Sequence, residues 1–255
     1  MGWELANNPE SLAARTLVKE SADFLTKDFS RVQNQLKEIQ NDIDFQITTQ
    51  VEQINQITSE IAQLNEKIQV VELNGVPAND ERDRRDALVK DLGEKINIKY
   101  AEGDSGQLAI TGGSTAVLVS GYSSRNLNAS ITGEAGAKRE GNVDIFYKMS
   151  EQSTPVSVTQ QFTGGELGGL LQVRDDIVNN LISRVDKMAY TLATEVNKAH
   201  VHGFNRYNRQ GEKFFKVDGV QNAAESFRVN EKILQDVGYI ATAGDPGTPG
   251  DNRIA

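Results

Sequence analysis

The stretch from Ile43 to Val71, "IDFQITTQVEQINQITSEIAQLNEKIQVV", decides the fold of this chain. It contains no proline or glycine, and its apolar residues recur every three or four positions, at Ile43, Ile47, Val51, Ile54, Ile57, Ile61, Leu64, Ile68 and Val71. That spacing places them along one side of an α-helix, as in a coiled coil. Two successive steps of four around Ile47 form a stutter, which locally unwinds a supercoil. The stretch therefore predicts a long helix with one narrow apolar seam.

The predicted helix begins well before this stretch. In "NNPESLAAR", residues 7–15, Asn8 can cap the free backbone N–H groups and Pro9 suits the first helical position. From Pro9 onward, no proline or glycine occurs before Gly75. The same seam already includes Val32, Leu36 and Ile39. We expect one helix of about 65 residues, about 95 Å long, or alternatively a helix that is kinked or broken near "ITTQ", residues 47–50.

A seam this narrow needs a partner helix. Residues 164–204 supply one, because glycines precede an apolar series and Gly203 stands where a helix C-terminus favours glycine. The predicted seam of this second helix comprises Leu170, Ile177, Leu181, Val185, Met188, Leu192, Val196 and Ala199. We expect the two helices to pack antiparallel.

Between the helices the pattern changes to short β-rich segments. "INIKYAE", "QLAITG", "TAVLVSG", "NLNASIT" and "NVDIFYKM" are separated by glycine-containing turns, which is typical of strands. The predicted fold class is therefore α+β, an elongated antiparallel, coiled-coil-like helical core with a small inserted β-rich domain. The expected boundaries are 1–95 and 163–204 for the core, 96–162 for the β-rich module, and 205–255 for a looped and extended segment that leads toward C-terminal helices.

The composition limits the classes of partner and of chemistry. The 255 residues carry a net charge of −9, and such an acidic surface repels nucleic acid and anionic membranes. Only 38% of the residues are hydrophobic, which fits a thin, surface-rich protein better than a compact enzyme. The absence of cysteine excludes disulfides and thiolate sites. The N-terminus lacks the pattern of a cleaved signal peptide.

The most highly charged stretch is "PANDERDRRDALVKDLGEKINI", residues 77–98. Asn79 or Asp80 can cap a second, shorter helix, and an apolar series indicates its buried side, at Ala87, Leu88, Leu92 and Ile96. The candidate interaction and positioning residues are Asn79, Asp80, Arg82, Asp83, Arg85 and Asp86. Because each acid has an arginine within a helical turn, we expect an ion-paired helix start whose charges point outward or along the long helix. There Glu60, Glu66 and Lys67 offer partners.

Other motifs give little support for catalysis. "GDSG", residues 103–106, has no histidine base nearby in the sequence and is more simply a hairpin turn. The histidines of "HVH", residues 200–202, point apart on a helix and cannot chelate one ion. No phosphate-binding glycine motif occurs. We therefore expect no enzyme, no catalytic residue, no cofactor and no metal, and keep a carboxylate-dependent hydrolase as an alternative.

Several segments in order resemble the flagellar hook-associated protein 1 family. They are "WELANNPESLAARTLVKESADFLTKDF" (3–29), "INQITSEIAQLNEKI" (54–68), "NGVPANDERDRRDALVKDL" (74–92), the second helix through "NRQGEKFF" (164–215), and "PGDNRIA" (249–255). Together they cover nearly the whole chain. The terminal helices with which that family polymerises are not recognised here, so we expect a core fragment that is soluble and monomeric.

The resemblance implies a structural axial component at the hook–filament junction of the bacterial flagellum, acting by subunit packing. It implies partners, namely further copies of the full-length protein, the hook protein, hook-associated protein 3 and an export chaperone. It also implies an extracellular location, reached through the flagellar secretion system without a cleaved signal peptide. The alternatives are another axial protein, such as hook-associated protein 3 or flagellin, and an unrelated coiled-coil stalk or adhesin module.

Overall fold

The computed structural model describes residues 2–103, 106–131, 142–248 and 250–255. The chain divides into two compact units, which we call unit 1 (1–38 and 180–255) and unit 2 (39–179). The helices are α1 Gly2–Asn7, α2 Leu12–Leu73, α3 Asn79–Lys95, α4 Gly165–Gln172, α5 Asn179–His200, α6 Ala223–Ser226 and α7 Glu231–Gln235. With its long helix and small antiparallel sheets, the fold is α+β, as predicted.

The long helix is confirmed. Helix α2 has 62 residues and continues through residues 47–50, where a break was the alternative. The side chains of Ile47, Ile54, Ile61 and Ile68 are fully buried, so the seam predicted in this half of the helix is correct. Val32 and Ile39, which belong to its N-terminal part, are exposed instead.

The second helix is interrupted by one π-helical segment, Val173–Val178, between α4 and α5. Its buried side chains include Leu167, Leu171, Val178, Ile182, Ala189 and Ala193. The predicted seam was partly wrong: Ile177, Leu181 and Met188 are exposed, whereas Val185, Leu192 and Val196 pack against the core of unit 1. A search for large apolar residues placed the seam to one side of the most buried positions, since these also carry alanines and the charged Arg174 and Asp186.

Side-chain hydrogen bonds in unit 2 confirm that the two helices run antiparallel. Gln40 Nε2 donates to Asn179 Oδ1 at 2.7 Å, and Arg174 Nη1 donates to Asp44 Oδ1 at 2.7 Å. Further along α2, Gln50 Nε2 donates to Glu166 Oε2 at 2.6 Å. As the residue number rises along α2, that of the partner falls. Such a progression requires antiparallel chains.

The β-rich part of unit 2 consists of two small antiparallel sheets. The first sheet contains β1 Ile98–Glu102, β2 Leu108–Gly112, β3 Ala116–Ser120 and β4 Ser123–Ser124. The second contains β5 Leu127–Ile131, β6 Val143–Tyr147 and β7 Val156–Ser157. A 3₁₀ turn, Thr159–Gln161, leads to α4. These strands lie inside the predicted range 96–162, but the division of the chain at 95, 162 and 204 stays a prediction.

Two asparagines of α2 bind the sheets of unit 2 through their main chains. Asn65 Nδ2 donates to Leu108 O at 2.9 Å, and Leu108 N donates back to Asn65 Oδ1 at 3.1 Å. Asn55 makes the same pair of bonds with Leu127, at 2.9 and 2.8 Å. Each amide thus occupies the place of a neighbouring strand, because a side-chain amide offers the same donor and acceptor as a peptide group.

Unit 1 has its own aromatic core. Strands β8 Phe215–Lys216 and β9 Arg228–Val229 pair antiparallel, and a 3₁₀ turn follows at Val237–Tyr239. Phe214, Phe215 and Phe227 pack in one buried cluster with Ala189 and Ala193 of α5. Within the described residues, no helix is both long enough and apolar enough to cross a membrane.

Candidate interaction site

The charged helix start forms where α2 ends and the chain turns back. Helix α3 begins at Asn79, and the residue that precedes it, Ala78, has no side chain with which to cap the helix. The predicted cap by Asn79 or Asp80 is therefore wrong. Ala78 is only 1% exposed, so a buried apolar residue takes the cap position and the polar side chains begin one residue later.

Arg82 and Arg85 converge on Glu102 of β1. Arg82 donates two hydrogen bonds to Glu72, from Nε to Oε1 at 2.8 Å and from Nη2 to Oε2 at 2.9 Å. Its Nη1 donates to Glu102 Oε1 at 2.7 Å, and Arg85 Nη2 donates to the same oxygen at 3.0 Å. Bidentate arginine–carboxylate pairs fix the relative orientation of the two side chains. The cluster therefore connects α3 with the end of α2 and with the first strand.

Arg85 differs most from the expectation. We predicted that its charge points outward or along the long helix, but its side chain is 2% exposed and turned into the interior of unit 2. Arg85 Nη1 donates to Asn65 Oδ1 at 3.0 Å and to Gly106 O at 2.7 Å, and within the described residues its Nε has no partner. The sequence held a signal for this, since Arg85 precedes the buried Val89 and Leu92 by four and seven residues. A heptad-spaced arginine therefore belongs to the buried side of the helix.

The carboxylates of the cluster are held in their ionised form. Hydrogen bonds from Arg85 and Arg82 lower the pKa of Glu102, and the hydrogen bond from Arg82 lowers the pKa of Glu72. The same bonds raise the pKa of Arg82. A general acid at neutral pH needs a raised pKa. The electrostatics of this cluster therefore favour ion pairing over proton transfer.

The remaining candidate residues lie on the outside of α3. Asn79, Asp80, Asp83 and Asp86 are exposed. The expected partners on α2 do form ion pairs, but with neighbours of the residues we selected. Lys67 Nζ lies 2.9 Å from Glu81 Oε1, and Arg84 pairs with Glu60. Within the described residues, no ion pair joins Glu66 to α3. The described residues contain no group of three or more acidic, histidine or cysteine side chains arranged to hold a metal.

The residues that complete the cluster were missed by sequence analysis. Glu72, Glu102 and Asn65 lie 10, 17 and 20 residues from their arginine partners and on other elements. Nothing in the local pattern distinguishes them from other polar residues. Only the fold brings them together.

The "HVH" motif has a structural role. His200 is 5% exposed, its Nδ1–H donates to Glu212 O, and its Nε2 accepts from Ala241 N at 2.8 Å. Both ring nitrogens are therefore occupied. Burial lowers the pKa of His200, which favours this neutral form. Of the GDSG turn, Asp104 and Ser105 lie outside the described residues.

Known proteins similar to this chain share one description. Flagellar hook-associated protein 1 of Bacillus subtilis is 24% identical over 274 residues, covering 99% of this chain and 54% of that protein. The Salmonella typhimurium protein of the same name is 26% identical, covering 93% of this chain and 44% of its own length. The Escherichia coli protein of the same name is 27% identical, and the match covers 94% of this chain and 43% of that protein. The chain thus spans about half the length of the curated relatives it matches.

Structural comparison agrees with the sequence comparison. The solved structure of the flagellar hook junction protein FlgK from Burkholderia pseudomallei matches with a TM-score of 0.77 and 25% identity, over 85% of this chain and 39% of that one. The family described as "Flagellar hook-associated protein FlgK helical domain" matches residues 3–215. That range is most of the chain and includes both antiparallel helices and the charged helix start. The chain therefore belongs to the family of flagellar hook-associated protein FlgK helical domains.

Proposed function

We propose that this chain is a structural part of the bacterial flagellum at the hook–filament junction, where it acts by packing against other subunits and not by catalysis. The names of its relatives and its family support this function. The observation that carries it is a set of apolar side chains that unit 1 leaves exposed.

These side chains follow the heptad spacing of both long helices. On α2, Leu25 and Val32 are seven residues apart and each is 37% exposed. On α5, Leu181 and Met188 are also seven residues apart, and they are 41% and 61% exposed. Residues seven apart share one side of a helix. Exposed apolar surface of this kind marks sites of protein association. We call these four residues the open stripe.

The charged helix start has a divided role in this proposal. Arg82 and Arg85 hold α3 against α2 and β1, and thereby fix the position of the exposed side of α3. Asn79, Asp80, Asp83 and Asp86 lie on that side, where carboxylates contribute to the choice and register of a neighbouring subunit. They are thus proposed contact residues, and the two arginines are proposed positioning residues.

The proposed partners are further copies of the full-length protein, the hook protein, hook-associated protein 3 and an export chaperone. The proposed location is outside the cell, after export through the flagellar secretion system without a cleaved signal peptide. A carboxylate-dependent hydrolase has less support, because the carboxylates at the centre of the cluster, Glu72 and Glu102, are bound by arginines that lower the pKa of both carboxyl groups.

The experiment is to replace Leu181 and Met188 by glutamate within the full-length protein of the bacterium that encodes it. We expect a folded, exported protein, short or missing filaments by electron microscopy, and reduced swimming in soft agar. Thr191→Glu, which adds charge at another exposed position of α5, is the matched control. Normal filaments in the double variant would refute the role of the open stripe, and normal filaments in a strain lacking the whole gene would refute the proposed function.

A further inference from the structure

The outer face of the second sheet in unit 2 forms the floor of a cleft of about 790 Å³. Asn128 of β5 pairs with Phe146 of β6, and both line this cleft. Their neighbours Leu127, Ile145 and Tyr147 point to the opposite face and are buried. The alternation of a strand thus gives the sheet one core face and one face that bears polar side chains toward solvent.

The lining of the cleft is made mostly of hydroxyl and amide groups. Ser124, Asn126, Asn128, Ser130 and Ser150 come from the strands and loops, and Ser59 comes from α2. A second cleft of about 480 Å³ shares Ser59 and Asn126 and is also lined on α2 by Asn55, Gln56, Glu60 and Gln63. Together they form one groove, which we call the amide groove.

Two cations and one aromatic ring complete the amide groove. Arg125 and Lys148 line the larger cleft, and Phe146 and Pro155 are its apolar members. Among the described residues, two carboxylates also line the groove: Glu151 in the larger cleft and Glu60, which is paired with Arg84, in the smaller one. Within the described residues, Arg125 and Lys148 make no ion pair, and Asn126, Asn128 and Ser130 make no side-chain hydrogen bond. By contrast, Asn55, which lines the smaller cleft, uses its amide on the backbone of Leu127.

This lining suits a ligand that is itself rich in hydroxyl groups. Amides and hydroxyls both donate and accept hydrogen bonds, as sugar hydroxyls do. An aromatic ring offers an apolar surface to the C–H face of a sugar ring. Bound peptides, by contrast, gain affinity by inserting apolar side chains into apolar pockets or by extending a sheet edge. Among the described residues, the amide groove offers two apolar side chains for that purpose, Phe146 and Pro155.

Arg125 and Lys148 give the larger cleft two positive charges against the one negative charge of Glu151, so this cleft favours an anionic ligand. Arginine binds a carboxylate with two parallel hydrogen bonds, and lysine adds a point charge. The chain as a whole carries excess negative charge, with 36 acidic and 27 basic residues, so it repels anions in general. An anion that binds here therefore does so through local contacts. We propose that the amide groove binds acidic oligosaccharides, with carboxylates on Arg125 and Lys148 and hydroxyls on Asn126, Asn128 and Ser130.

Calorimetric titration of the chain with tetragalacturonic acid tests this proposal. The uncharged galactose tetramer of the same linkage and a tetraglutamate peptide are titrated in parallel. We expect binding of the acidic sugar, binding at least about tenfold weaker for the neutral sugar, and no comparable binding of the peptide. Arg125→Ala/Lys148→Ala should weaken binding about tenfold or more, because two charge-assisted hydrogen bonds are lost. Asn128→Ala/Ser130→Ala should weaken it about threefold or more, because neutral hydrogen bonds are weaker.

The matched control is Lys90→Ala/Lys99→Ala, which removes two exposed cations of the same unit away from the groove. This control should bind the acidic sugar like the original chain, and thermal melts should show that all variants are folded. Lack of binding at millimolar sugar would overturn the proposal, as would equal losses in the control. Tighter binding of tetraglutamate would show an acidic-peptide site instead. An unchanged affinity in Asn128→Ala/Ser130→Ala would mean simple charge attraction and would equally overturn it.

Discussion

The guanidinium of Arg85 lies in the interior of unit 2, where three elements supply its hydrogen bonds. Asn65 belongs to α2, Glu102 to β1, and Gly106 to the turn that follows β1. A buried charge is tolerated only when it is paired and hydrogen-bonded. The position of Arg85 is therefore set by all three elements together, and each of them depends on it in return.

Replacing Arg85 by methionine should lower the free energy of unfolding by about 2–4 kcal/mol, because the Asn65 and Gly106 oxygens lose their donor in the interior. Arg84→Met is the matched control, since Arg84 forms an exposed ion pair with Glu60. It should cost about 0–1 kcal/mol. Urea unfolding followed by circular dichroism measures both. Equal effects of the two substitutions would contradict the buried role of Arg85.

His200 provides a second prediction for a single residue. Burial lowers its pKa below the ordinary 6.5, so the folded chain resists protonation that the unfolded chain accepts. The contribution of neutral His200 to stability is fully present when the pH lies above the pKa of this residue in the unfolded chain. It is lost as the pH falls through the lower pKa of the folded chain. NMR titration should show a pKa below 6.5 for the His200 ring. A ring that titrates at or above 6.5 would show that it does not stay neutral in this environment.

At the level of elements, amide side chains on α2 connect helix and sheet. Asn55 and Asn65 are ten residues apart, and each binds one strand through both backbone groups. The burial of Ile54 and Ile61 keeps this side of α2 against the sheets. Apolar burial is not directional, whereas the paired hydrogen bonds are. The asparagines therefore define where each strand begins along the helix.

Asn55→Ala and Asn65→Ala should each lower the free energy of unfolding by about 1–3 kcal/mol, since each leaves backbone groups without a partner. These are the N–H and C=O of Leu127 for Asn55, and the N–H and C=O of Leu108 with the C=O of Gly121 for Asn65. Gln46→Ala, at an exposed position of the same helix, should change it by less than about 0.5 kcal/mol. Hydrogen exchange of the Leu127 and Leu108 amides provides a local measurement. Unchanged protection of these amides in the variants would mean that the asparagines do not hold the strands.

The elements also show what the sequence could predict. Apolar periodicity located α2, its buried C-terminal half and the strands, because these features repeat along the chain. It misplaced part of the seam on α5, where Ala189, Ala193 and the buried Asp186 face inward and Met188 faces outward. The charged helix start was located correctly. Its cap and the burial of Arg85 were not, because both depend on partners distant in sequence.

On the scale of the whole molecule, stability toward acid depends on carboxylates that accept hydrogen bonds in the folded chain. Hydrogen bonds to basic or other donors lower the pKa of six carboxyl groups: Glu72, Glu81, Glu102, Glu231, Asp236 and Asp251. Burial raises the pKa of Asp44, which works in the opposite direction. The lowered groups stabilise the fold fully above their unfolded pKa values, and this stabilisation is lost as the pH falls through the folded values.

The free energy of unfolding should therefore fall as the pH decreases from about 5 to about 3, the range in which carboxyl groups of the unfolded chain become protonated. Glu72→Gln/Glu102→Gln should flatten this dependence, whereas Glu94→Gln, on the exposed side of α3, should leave it unchanged. Denaturation curves at a series of pH values measure it. A free energy of unfolding that stays constant or rises over this range would contradict the prediction.

The bonds that Asn55 and Asn65 make to the sheets reach only main-chain atoms, those of Leu127, Leu108 and Gly121, so they do not depend on which side chains the strands carry. A peptide group is the same in every residue except proline, which lacks the N–H. Any strand of suitable length can therefore be attached to this helix without a matching change in the helix. The two asparagines can therefore hold strands of different sequence, and the strand sequences can change during evolution while their attachment to the helix is kept.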